Sequence, residues 1–139
     1  KIATYSGTIQ QLEQAGKRVI FVIDNPTFPD PTSCISGGAT ASPFLSQFLR
    51  RRENPHCTIR YTDHLAGTQA YRQFIDELQR LHPRLVVYAP TPLLCDIPGN
   101  LCAMTEGEKF LYSYGDHVSD YANSKIARDM LPVIRGLAP

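Results

Sequence analysis

An excess of charge of either sign is missing from this chain, whose 139 residues carry 14 Lys and Arg against 13 Asp and Glu. No net field therefore draws it to nucleic acid or to an anionic membrane surface. The one dense basic run, Arg50-Arg51-Arg52, reads as the solvated end of a helix, where cations suit the dipole. Also missing is any apolar run approaching the ~20 residues that cross a bilayer, and Lys1-Ile2-Ala3-Thr4 does not begin as a secretory leader does. The expectation is a soluble domain. No glycine-rich loop of the dinucleotide or P-loop kind is present, which argues against a nucleotide cofactor. There is no Cys-x-x-Cys and no His pair near the cysteines, so no metal is expected. Repeats and low-complexity tracts are lacking, and the length suits one core, so residues 1–139 are expected to form a single domain. Gly-x-Ser-x-Gly and Gly-Asp-Ser are both absent, and Ser6, Ser33, Ser36, Ser42, Ser46, Ser113, Ser119 and Ser124 read as caps and loop polars rather than nucleophiles.

Four cysteines are present, Cys34, Cys57, Cys95 and Cys102, all in or beside expected loops. Cys95 and Cys102 bracket Asp96-Ile97-Pro98-Gly99-Asn100-Leu101, a Pro-Gly turn that can bring its two ends together. Cys34 with Cys57 is the pair that remains. Two disulfides point to an oxidising compartment such as a periplasm, against the alternative of four buried thiols in a cytosolic protein.

Helical and strand patterns alternate along the chain. Tyr5, Ile9 and Leu12 recur at helical spacing and stop at Gly16. Residues 18–23, apolar and β-branched, then read as a strand buried on both faces and ending at Asp24-Asn25-Pro26. From Pro26 to Ser42 five prolines and glycines enforce a long surface loop, and loops of that length are usually functional. Ser42-Pro43 caps a helix carrying Phe44, Leu45, Phe48 and Leu49 and ending near Asn54-Pro55. Residues 58–61 form a short strand. Tyr71, Phe74, Ile75, Leu78 and Leu81 supply another helical stripe that stops before Pro83. Residues 84–89 are a second buried strand, and residues 109–112 a brief third one. Ser119 caps a last helix bearing Ala122, Ile126, Met130 and Ile134, which Pro132 should end or kink. Strands separated by helices require right-handed crossovers and a parallel sheet covered on both faces; the expected class is α/β.

Ligands of an open parallel sheet bind beyond the carboxyl ends of its strands. Asp24-Asn25-Pro26, Pro90-Thr91-Pro92 and residues 113–116 leave strands there, which puts Asn25 and His117 on one rim. A histidine on a turn before a helix is where a general base is often held, because imidazole ordinarily titrates near pH ~6.5 and both takes and returns a proton at neutral pH; a solvated turn histidine is the alternative. Acyl transfer further needs a hydroxyl to deprotonate and a carboxylate to fix the tautomer. Asp116 and Asp120 are the carboxylate candidates, and the Asn25 amide is a candidate oxyanion donor. His56, His64 and His82 read as surface or packing residues.

In their order, the strand running into Asp24-Asn25-Pro26, the Pro-rich loop reaching Cys34, the cysteine-bracketed segment after Thr91-Pro92-Leu93, and Leu111-Tyr112 leading to Asp116-His117-Val118-Ser119 resemble the C-terminal SGNH domain of bacterial membrane acyltransferases that O-acetylate surface polysaccharides. The resemblance spans most of the chain. It implies a flavodoxin-like three-layer sandwich around a parallel sheet, His117 as catalytic base with Asp116 beside it, disulfide-bonded cysteines, and acetyl transfer to a sugar hydroxyl through a seryl ester. It also implies an extracytoplasmic domain tethered to an inner-membrane protein, an acetyl donor delivered by a membrane acyltransferase domain, a polysaccharide or lipid-linked glycan as acceptor, and no cofactor. The chain departs from the pattern twice. Tyr114 stands three before His117, where the family usually has aspartate, and the Gly-Asp-Ser block falls before Lys1, so the nucleophile and a first strand are expected upstream. A carbohydrate esterase of the same fold and a non-catalytic glycan-binding module are the competing readings.

Overall fold

The computed structural model describes residues 1–29, 34, 57–113 and 117–137. In chain order its elements are α1 (Ile2–Gln14), β1 (Ile20–Val22), β2 (Thr58–Arg60), α2 (Tyr61–Gly67), α3 (Gln69–Leu81), β3 (Val86–Tyr88), α4 (Thr91–Leu94), β4 (Cys95–Asp96), β5 (Leu101–Ala103), β6 (Thr105–Glu106), β7 (Lys109–Phe110) and α5 (Asp120–Gly136). The expected helix after Ser42, with Arg50-Arg51-Arg52, and the residues Tyr114 and Asp116 lie outside the described residues, as do His56 and most of the Pro-rich segment.

Helix α1 ends as its spacing predicts, at Gly16, whose φ of +73° a side chain would resist. β1 and β3 pair in parallel, Ile20 opposite Val86 and Val22 opposite Tyr88. Because side chains alternate across a strand, Phe21 and Val87 face one side, where they pack on the buried Ile9 of α1, Leu78 of α3 and Leu85. Tyr88 faces the other side and donates to Asp129 Oδ2 of α5 at 2.8 Å. Burial, and then that hydrogen bond, push the Tyr88 phenol up to about 12. The class is α/β, with helices against both faces of a two-stranded parallel pair.

Several expectations need correction. Val22 is 46 % exposed, so β1 is not buried on both faces; Val22 opens onto a cleft whose walls include Ile126 of α5. Residues 58–60 pair antiparallel with β5, which also pairs with β4. Residues 109–110 pair, among the described residues, with β6 in a hairpin, so neither short strand extends the parallel pair. The Pro-rich segment does not leave straight for the surface, since Pro26 is buried and Phe28, 3 % exposed, meets Tyr112 edge-on at 5.0 Å between centroids. Finally, α5 runs through Pro132 to Gly136. Arg128 and Leu131 are exposed there, so the carbonyl that Pro132 leaves without a donor is open to water.

A second core joins Phe28, Leu94, Cys95, Cys102, Met104, Leu111, Tyr112 and Ala122. Both disulfides form with the expected partners, Cys34–Cys57 and Cys95–Cys102. This core is the floor under the turn that bears His117.

Candidate functional site

The His117 turn is fixed by backbone bonds from both sides. Tyr112 bridges Val118, Ser113 N–H donates to His117 O at 2.8 Å, Ser113 Oγ–H donates to the same oxygen at 3.2 Å, and Ser119 N–H donates to Leu111 O at 2.9 Å. Ser119 then caps α5 as its residue type predicts, its hydroxyl accepting from Ala122 N–H and donating to Phe110 O at 2.7 Å. Asp120 supplies the acidic first turn. His117 itself is exposed, held by a rigid frame at the start of a helix. The β6–β7 hairpin clasps that helix: Lys125 Nζ donates to Glu106 Oε1 at 2.7 Å, Tyr121 Oη–H donates to Glu106, and Lys109 Nζ lies 4.5 Å from the Tyr121 ring centre. The Lys125 and Tyr121 hydrogen bonds hold the Glu106 carboxyl below its ordinary range.

Asn25 sits where the sheet argument puts it, just beyond β1, its Nδ2 donating to Pro26 O at 3.3 Å. Two clefts meet at that strand end. The smaller, of about 410 Å³, has walls that include Asn25, Pro90, Val118 and Asn123. The larger, of about 1100 Å³, lies between the ends of β1 and β3 and the helices α2 and α3. They share Ile23, Asp24, Asn25 and Tyr71. Asn25 and Val118, the residue after His117, thus line one cleft. Asp116 lies outside the described residues.

Three features of this region escape sequence reasoning. His64, read as a surface or packing residue, is half-buried in the wall of the larger cleft. Burial, and then the Arg72 guanidinium, lower its pKa against the opposing pull of Asp24, so its neutral form dominates. Tyr71, part of an apolar stripe, accepts at its hydroxyl from Asp24 N–H at 3.4 Å. Asn100, in the Cys95–Cys102 turn at φ +54°, caps α2 from outside: its Oδ1 accepts from Thr62 N–H at 2.9 Å and its main-chain oxygen from Tyr61 N–H at 3.2 Å. In the same turn a Cβ at Gly99 would push aside the Asp96 side chain that accepts from Gly99 N–H.

A complete Ser–His–carboxylate chain exists elsewhere. Ser6 Oγ lies 2.7 Å from His82 Nε2, and Glu13 Oε2 lies 3.3 Å from His82 Nδ1. The distances suit catalysis but the surroundings do not. Ser6 is inside α1, where main-chain N–H groups are spent on the helix and none is left to hold an oxyanion. His82 is 7 % exposed and lines neither cleft. This chain of bonds pins α1 to the end of α3.

A family model described as the SGNH domain (fused to AT3 domains) matches residues 2–132. The chain belongs to the SGNH domain family. Membership carries an α/β hydrolase-like fold and, through the AT3 fusion, acyl or acetyl transfer or related esterase chemistry. The family is described as one whose SGNH domains are fused to AT3 domains. Two disulfides suit an extracytoplasmic SGNH domain, and no helix among the described residues is long and apolar enough to cross a membrane. No curated protein and no solved structure gives a match.

Proposed function

We propose that this SGNH domain transfers an acetyl group to a hydroxyl of a surface polysaccharide or lipid-linked glycan through a seryl ester, with His117 as the base. The observation that carries the reading is the exposed His117 on a turn tied at both ends, next to Val118, which lines a cleft together with Asn25, in a domain of a family described as fused to AT3 domains. A turn tied on both sides holds the main chain of His117 before substrate arrives, and placing a catalytic group in advance lowers the entropic part of a barrier.

The chemistry runs in two halves. His117 takes the proton of a serine hydroxyl as the oxygen attacks the acetyl carbonyl of the donor; the oxyanion is held by the Asn25 amide, and collapse releases the donor's leaving group with the proton from His117. His117 then takes the proton of the acceptor hydroxyl, which attacks the seryl ester and leaves as the acetylated sugar, returning the proton to serine. Asp116 is the carboxylate assigned to hold the imidazole. The nucleophile is a serine of a Gly-Asp-Ser block N-terminal to Lys1. In this reading residues 1–139 form a single domain of the flavodoxin-like three-layer kind, facing the periplasm and tethered to an inner-membrane acyltransferase region that delivers the acetyl group. No cofactor enters either half.

The test is His117→Ala in the intact protein, read as acetyl content of the cell-surface polysaccharide and as acetate release. Loss of transfer supports the reading, and unchanged acetylation overturns it. Acetate release without acetylated glycan would make the protein an esterase of the same fold, and glycan binding with neither product would make it a binding module.

A further inference from the structure

We propose that the larger cleft is the acceptor's own binding site and that it takes an extended oligosaccharide several rings long, leading past Tyr71 to the His117 turn. This inference rests on the acetyl-transfer reading and adds where the acceptor lies and how much of it is engaged.

Three observations carry it. The first is size: a drug-sized ligand fills a cleft of about 300–1,000 Å³, and this one holds about 1100 Å³ before the adjoining space of about 410 Å³ is counted. One sugar ring leaves most of that volume to water. The second is continuity. Ile23, Asp24, Asn25 and Tyr71 are walls of both spaces, so a chain lying in the larger one reaches the cleft lined by Val118 without leaving the protein.

The third is the chemistry of the walls. Tyr61 and Tyr71 both line the cleft, and an aromatic ring suits the C–H face of a pyranose. Around them stand His64, Arg72, Asp76 and Gln79, planar groups that offer donors and acceptors in fixed directions to vicinal hydroxyls. A neutral His64 offers one of each. A nucleotide would set its phosphates against Asp24 and Asp76 with no glycine-rich loop to hold them. A polyhydroxylated chain satisfies the whole set.

The experiment uses the intact protein and, as acceptor, size-fractionated fragments of the producing cell's surface polysaccharide released by mild acid, from one repeat unit to several. We expect kcat/KM to climb with fragment length by at least about tenfold, the effect of one added contact of ordinary strength. Tyr71→Ala should pull the long fragments down toward the single unit. Asp76→Ala and Gln79→Ala, at exposed positions on α3 that leave packing untouched, should do the same. Arg80→Ala, outside both clefts and paired among the described residues with Glu77, should leave the length dependence as it is.

A flat response to length in an active protein overturns the inference and spares the function. So does a climbing response that no cleft variant alters. Variants that raise KM for the acetyl donor alone would assign the cleft to the donor and also overturn it. An intact protein inactive on every length, with His117→Ala no different, would instead defeat the acetyl-transfer reading itself.

Discussion

The seam between α1 and α3 and the floor beneath the His117 turn each hold a histidine, and the two regions invert each other. At the seam, His82 has a serine on one nitrogen and a carboxylate on the other, is 7 % exposed and reaches no cleft. At the floor, His117 is exposed and held through its backbone, one residue from a cleft wall. The seam is closed by three buried aliphatic residues, while Tyr5, Leu12 and Leu81 remain 40–50 % exposed around it. The floor is built from eight buried residues and contains a disulfide. A triad recognised by distances alone would pick His82 over the histidine that we propose as the base. What separates them is access, and the presence or absence of donors for the charge that develops in the reaction.

The sharpest way to break this comparison is kinetic. His117→Ala should lower acetyl transfer by about 10²–10⁴-fold, the range for loss of a general base, with an unchanged far-ultraviolet dichroism spectrum, whereas Ser6→Ala should leave transfer within experimental error. Equal losses in both would mean that the seam participates in chemistry. Next in size is the floor itself. Phe28→Ala should destabilise by about 3–5 kcal/mol, as large-to-small changes of buried aromatics do, and its midpoint in urea should fall further than that of any exposed seam variant such as Leu12→Ala.

Replacing Cys95 and Cys102 together by serine should remove roughly 2–3 kcal/mol, the loop-entropy value for a closure of this length, measurable by thermal denaturation without reductant. His82→Ala should lose about 1–3 kcal/mol, since it leaves Ser6 and Glu13 short of a buried partner, with the activity of the folded fraction intact. The smallest effect concerns pH. His64 binds a proton less readily in the folded chain than in the unfolded one, so the unfolded state gains protons first as pH drops through about 6.5 and stability declines there; above that pH the effect is absent. Urea titrations at pH 7.5 and 5.5 should differ less for His64→Gln than for the natural chain.

Much of the fold is legible where local punctuation decides it. Gly16, Pro83 and Ser119 mark helix boundaries, and the Pro-Gly turn between Cys95 and Cys102 identifies its own disulfide. Strand partners are not legible, because runs of two or three residues carry no signal for the chain they will pair with; residues 58–60 and 109–110 look like sheet strands and belong to small antiparallel pieces. Pro132 misleads because its helix is exposed where the proline falls. In the site, His117 and Asn25 are visible through their places after strands and before a helix. His64 and Tyr71 look like surface and core because their roles depend on a cleft formed by distant segments, and the Ser6–His82 contact spans 76 positions.

Asn100 gives the larger cleft a dependency of its own. With seven residues, α2 is too short to persist by itself in water, and no side chain of its own caps its start. It borrows that cap from the disulfide-bracketed turn 38 positions away. Anything that opens that turn, a reductant or a pull on the β4–β5 hairpin, leaves the first N–H groups of the helix bearing Tyr61, Asp63 and His64 without these partners. That stretch of the cleft wall is therefore only as secure as a loop far from it in the chain.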